Sequence, residues 1–184
     1  MLTLTQILAE PKGRTTLLSE LRDYLKTRRE EIRTLHGERS SGHYILIRLT
    51  ALVDTLITEI YQQELLRYER GHGRTLQEGC AVIAVGGYGR GELNPYSDID
   101  IMFLYRPEFR DAVETVAMEV LYLLWDLQFT IGHSSRTISE CVRIAQADIT
   151  AKTALMEARL LTGSEELFQN FQKTFRRRVL PKRV

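Results

Sequence analysis

Val85-Gly86-Gly87-Tyr88-Gly89-Arg90-Gly91-Glu92-Leu93-Asn94-Pro95-Tyr96-Ser97-Asp98-Ile99-Asp100-Ile101 is the stretch on which the reading of this chain turns. It grows out of Ala81-Val82-Ile83-Ala84-Val85, an unbroken apolar run with the length and composition of a buried strand. Glycines at 86, 87, 89 and 91 then free the backbone, because N–H groups without neighbouring Cβ atoms can converge on an anion. Such a turn can cradle phosphates, above all where a helix begins. Other phosphate loops fail on spacing. A Walker A loop needs Lys and then Ser or Thr after its last glycine, but Glu92-Leu93 follow Gly91; the dinucleotide fingerprint needs a small residue where Glu92 stands.

Asp98 and Asp100 open a second strand that runs from Ile99 to Tyr105 and is closed by Pro107. One residue apart in a strand, their side chains share a face and lie roughly 6.5–7 Å apart along the backbone, close enough to share hard cations. Ile99, Ile101 and Phe103 take the other face and anchor the strand in the core. An EF-hand is excluded, since Met102 and Phe103 stand where that loop needs its next oxygen ligand and its glycine. An Asp-x-Asp pair alone is weak evidence of a site; coupled to a glycine turn that ends the preceding strand, it is a candidate one.

Outward from this centre the periodicity is helical. Residues from Thr15 to Leu35 carry Leu17, Leu18, Leu21, Leu25 and Ile32 on a thin apolar face, the cluster 37–42 breaks the pattern, and Ile45, Leu49, Leu52, Val53, Leu56 and Ile60 resume it. An N-terminal helical hairpin results, ended by the loop Gly71-His72-Gly73-Arg74. Downstream, Val113, Val116, Ala117, Val120, Leu124 and Leu127 share one helical face, and Phe129 to Thr137 is a short third strand interrupted by Gly132. The remainder reads as helices over Ser139–Ala147, Thr150–Leu161 (ended by Gly163) and Ser164–Arg178. In the last, Ser164 is the N-cap and Leu167, Phe168, Phe171 and Phe175 form the buried face. The expected architecture is α+β: a small mixed sheet covered by helices, with residues 1–70 an N-terminal helical segment, 71–137 the core and 138–184 a C-terminal helical segment.

The 184 residues are 43% hydrophobic and 27% charged, with a net charge of +1, which excludes a disordered chain. Lys173, Arg176, Arg177, Arg178, Lys182 and Arg183 form a basic cluster without interleaved aromatics, read as a solvated helix end rather than a nucleic-acid surface. Cys80 and Cys141 offer neither a disulfide framework nor a zinc site, in keeping with a reducing cytoplasm. Neither a signal peptide nor a membrane span is expected.

The Gly-Gly pair, spacer and Asp-hydrophobic-Asp-hydrophobic string resembles the nucleotidyltransferase superfamily that includes DNA polymerase β. The longer string from Gly86 to Asp100 is similar, more narrowly, to the uridylyltransferases of the nitrogen-signalling protein PII. The likeness extends to Ser41-Gly42 and the helix holding Asp54 upstream, and downstream to Trp125-Asp126-Leu127, Gly132-His133-Ser134, Arg136-Thr137, Ala147-Asp148 and Glu157-Ala158-Arg159-Leu160-Leu161-Thr162-Gly163. It implies transfer of UMP from UTP to a tyrosine hydroxyl of a PII-like protein. Gly86 and Gly87 would contact the triphosphate with Arg90 and Ser97 beside them, and Asp98 and Asp100 would hold Mg²⁺, with Mn²⁺ as its substitute. Two readings stand beside this one: a relative with an unknown acceptor, and a nucleotide-binding module without turnover.

The superfamily commonly has a third carboxylate on the next strand, and 129–137 holds none; Asp126 and Glu157 are the two substitutes. His133 is read evenly as a phosphate or metal contact and as a locally bonded strand residue, Trp125 as core. Tyr88 and Tyr96 either face the nucleotide or pack.

Overall fold

Two apolar faces, not one, are buried by the sheet of this protein. The computed structural model describes residues 3–9, 12–37, 41–73, 75–95 and 97–180. Its elements run α1 (Leu4–Ala9), α2 (Arg14–Gly37), α3 (Gly42–His72), β1 (Cys80–Ala84), α4 (Gly86–Gly89), β2 (Ile99–Tyr105), a 3-10 turn (Pro107–Phe109), α5 (Arg110–Asp126), β3 (Ile131–Arg136), α6 (Ile138–Ala147), α7 (Ile149–Met156), β4 (Arg159–Gly163) and α8 (Glu165–Val179). The sheet order is β3-β2-β1-β4, with β1 antiparallel to both β2 and β4, and β2 parallel to β3 across the α5 crossover. The α+β architecture expected from the sequence is the one found.

Alternation along the strands sorts the core into two layers. Val82 and Ala84 of β1 with Ile99, Ile101 and Phe103 of β2 face α1, α2, α3 and α5; Ala81, Ile83, Met102 and Leu104 face α6, α7 and α8. Each fully buried Leu, Ile or Phe contributes about 1.5–3 kcal/mol, so both layers hold the sheet firmly. The acids at 98 and 100 therefore lie on the side of the second layer, at the open mouth of a strand buried on both faces. Beyond that mouth, helices cover the strand on both sides.

The N-terminal helices form as expected, α3 running through the anticipated loop to His72 and ending at Gly73, whose left-handed φ of 63° only glycine adopts cheaply. Ser41 caps its start and Ser164 caps α8, each accepting an N–H from three residues on. All four expected apolar residues of α8 are buried.

The expected helix Thr150–Leu161 is corrected. It stops at Met156, and Arg159–Gly163 is an edge strand on β1, so the segment after 137 is not helical throughout. The Leu160-Leu161 pair continued a helical spacing, but the open edge of β1 supplied backbone partners that periodicity does not see. Helix α1 was not anticipated; Leu4, Ile7 and Leu8 bury one face of it. Among the described residues no helix is long and apolar enough to cross a membrane. Lys182 and Arg183, the Glu38-Arg39-Ser40 part of the anticipated break, and Arg74 lie outside the described residues.

Candidate nucleotide site

The glycine turn closes β1 directly onto β2. The Val85 N–H donates to the Asp100 carbonyl at 3.0 Å, Gly86 takes φ +58°, and the chain winds through the single turn α4, where the Gly89 N–H returns to the Val85 carbonyl. The first N–H groups of any helix lack a partner within it, and here they belong to Gly86, Gly87 and Tyr88, with Val85 offering no side-chain cap. A Cβ on Gly86 would stand 3.5 Å from Asp100 Oδ2, so the turn and the carboxylate are immediate neighbours. Arg90 is exposed, and its Nη2 lies 3.6 Å from the place a Cβ on Gly87 would fill, so its guanidinium arches back over the turn.

Asp98 is exposed and Asp100 half-buried. Burial first, and the charge of Asp98 second, hold the Asp100 carboxyl above its ordinary range. Ser97 sits on the rim, its hydroxyl donating to the Asn94 carbonyl at 3.1 Å. Tyr96 lies outside the described residues. The structure thus gathers Gly86, Gly87, Arg90 and Asp100 at one point, with Asp98 and Ser97 leading into it.

A third carboxylate does not join them: among the described residues no three His, Cys, Asp or Glu side chains cluster as a metal site. The residue across from Asp100 on β3 is Gly132, and a Cβ there would collide with Asp100 Oδ1. The neighbouring strand gives the Asp100 carboxylate room instead of a ligand. Neither substitute fills the gap. Asp126 is ion-paired to Arg14 of α2 at 2.8 Å. Glu157 has an exposed side chain, and its backbone carbonyl packs where a Cβ on Gly89 would be.

His133 pairs with Ile101, and paired residues share a face, so its imidazole projects from the side opposite Asp100. It meets Trp125 edge-on at 5.7 Å. Trp125, expected in the core, is 38% exposed, because it lies on the outward face of α5 with Met118 and Tyr122. Tyr88 points away from the site: its buried hydroxyl donates to Asp54 Oδ1 at 2.6 Å. Burial and the Asp54 charge push its phenol well above the ordinary range, so it remains a donor.

Sequence reasoning missed the scaffold on α3. Thr50 Oγ1 accepts from the Leu93 N–H at 2.9 Å and lies 2.9 Å from the Gly91 carbonyl, clamping the far end of the turn. The available signal was a polar residue on an apolar helix face; the signal for Gly132 was a lone glycine inside a strand pattern.

With this geometry in place, likeness to known proteins is informative. The family model described as glutamate-ammonia ligase adenylyltransferase (GlnE) matches residues 1–123. The chain belongs to this family. The match takes in the glycine turn and both aspartates and ends within α5, ahead of Gly132. A bifunctional uridylyltransferase/uridylyl-removing enzyme of Caulobacter vibrioides is 44% identical over 132 residues, 72% of this chain and 14% of that protein. One of Erythrobacter litoralis is 40% identical over 174 residues, 92% of this chain and 19% of that protein. The GlnE-family chain thus spans less than a fifth of the length of these curated relatives.

Proposed function

We propose that this chain is a nucleotidyl-transferring domain that moves UMP from UTP to the tyrosine hydroxyl of a PII-like protein. The hydroxyl oxygen bonds to the α-phosphorus, the bond to the β-phosphate oxygen breaks, pyrophosphate leaves, and the hydroxyl proton passes to solvent. The observation that carries the reading is the contact of the glycine turn with the Asp100 carboxylate, which sets an anion cradle against an anionic side chain. Two like charges brought together in that way call for a cation between them.

Asp98 and Asp100 fit Mg²⁺, or Mn²⁺ in its place. Both offer hard oxygen donors, and no basic side chain pairs with either among the described residues. When bound, Mg²⁺ neutralises triphosphate charge and lowers the pKa of the attacking hydroxyl. The chain's own part is positional: the N–H groups of Gly86 and Gly87 take phosphate oxygens, Arg90 covers them, and Ser97 holds the approach to Asp98 in shape. UTP is preferred over ATP on the names of the relatives, whereas the family description names an adenylyltransferase.

A second reading, nucleotide binding without turnover, rests on Gly132 standing where a third acid would. Incubation with α-labelled UTP, Mg²⁺ and a PII-type acceptor separates the two. Label on the acceptor, abolished by EDTA, is expected. Label from ATP alone would change the nucleotide, and UTP binding without release of pyrophosphate would establish the second reading.

A further inference from the structure

Thr50, Asp54 and Thr58 form a polar stripe at intervals of four along α3, and it faces inward. Thr50 reaches the end of the glycine turn and Thr58 reaches the Leu161 carbonyl of β4 at 3.5 Å. Between them Asp54 grips Arg159 in a two-point pair, at 2.8 Å to Nη1 and 3.1 Å to Nη2. The same guanidinium donates to the Gly89 carbonyl at 3.2 Å and the Tyr88 carbonyl at 3.3 Å, and it lies over the Tyr88 ring, 5.5 Å from its centre. The Tyr88 hydroxyl returns to Asp54. The circuit is closed: every member touches the other two, and none touches the Asp98–Asp100 pair.

A single helical turn has no stability of its own, because nucleation costs more than one turn of bonds returns. Its last carbonyls are left without helical partners, and a cation is the strongest group that can take them. Arg159 does this for α4 and is itself held by Asp54, with both side chains only about one-third exposed or less, at 33% and 27%. Gly89 also admits the Glu157 carbonyl into the space a Cβ would fill, so the chain leading into β4 packs directly on α4.

We propose that Asp54, Arg159 and Tyr88 are positioning residues that hold the glycine turn at its working distance from Asp100 and so set the affinity for the nucleoside triphosphate. This rests on the transfer reading above and adds the part of the molecule that fixes the cradle. Loosening the circuit weakens triphosphate binding selectively, because these residues bond to the glycine turn and to neither aspartate of the pair.

The test uses the 184-residue chain with Arg159→Lys, which keeps the charge and loses the fork, and Tyr88→Phe, which removes one hydroxyl and leaves the packing. Amide exchange at residues 89–91, whose N–H groups are bonded within the turn, should rise about tenfold while β1 and β2 keep parental protection, the signature of local opening. The KM for UTP should rise about tenfold in Arg159→Lys, with the acceptor KM at its parental value, as expected for lost ground-state binding. A purely structural role would shrink the active fraction, lowering apparent kcat and leaving the KM for UTP unchanged. Parental exchange at 89–91 together with a parental KM in folded variants overturns the proposal. A parent that neither binds UTP nor releases pyrophosphate overturns the transfer reading instead, and the exchange measurement then still decides whether the circuit fixes the turn.

Discussion

Replacing Gly132 by Ala should leave the fold standing and disable the site. A Cβ at 132 collides with Asp100 Oδ1, the free end of a side chain, and with no backbone atom closer than the Asp100 Cα at 4.0 Å. The carboxylate can swing clear, at about 0.5–1.5 kcal/mol for leaving its rotamer. Alanine in place of glycine returns about 0.4–1 kcal/mol by restricting the unfolded chain. The two nearly cancel, so the melting temperature should stay within about 4 °C of the parent for a chain of this size. Regaining ordinary contact moves the carboxylate by about 1 Å, and misplacement of that order at a reacting centre costs about 100-fold in rate. The assay pairs calorimetry with pyrophosphate release from UTP in the presence of Mg²⁺ and the PII-type acceptor. Release within threefold of the parent would refute the placement of Asp100 over Gly132 as the working one; a collapse in melting temperature would refute the claim that the colliding atom yields.

Gly89→Ala should behave in the opposite way, since the atoms in its path are the backbone carbonyls of Glu157 and Ala84, which cannot rotate aside: a loss of about 1–3 kcal/mol is expected in urea unfolding. Asp98→Asn and Asp100→Asn should keep or slightly raise thermal stability, because like charges are removed, while label transfer falls by orders of magnitude; normal folding with near-parental transfer would end the metal-bridged reading. Burial pushes the thiols of Cys80 and Cys141 up to about 12. With thiolate disfavoured at pH 8, the native chain should take no iodoacetamide and the urea-unfolded chain two equivalents, as mass spectrometry would show.

The centre of the molecule was legible because its signals are local. The apolar run at 81–85 and the alternation at 98–101 each fix a strand without reference to anything else, and the glycines between them fix the turn. Edge strand β4 was not, because Arg159-Leu160-Leu161 has both a helical spacing and a strand's composition, and only the open side of β1, some 80 positions away, decides between them. The same limit hid the site's support. Gly132 looked like a flaw in a strand until register placed it beneath Asp100. Arg159 and Asp54 lay in stretches that resembled a family without any chemistry attached, and their pairing spans 105 residues. Trp125 misled because helical periodicity gives a face to a residue but not how far its neighbours cover it, and Tyr122 and His133 cover it only in part.

The reach of Arg159 back to the turn also orders events as the chain is made. The carbonyls it holds lie 70 and 71 residues upstream. Contacts of such separation form late, since the intervening loop must close before they stabilise anything. A ribosome that has released β1, β2 and both aspartates has therefore released a glycine turn with an unsecured floor, and the floor must wait for β4 to emerge and fold back.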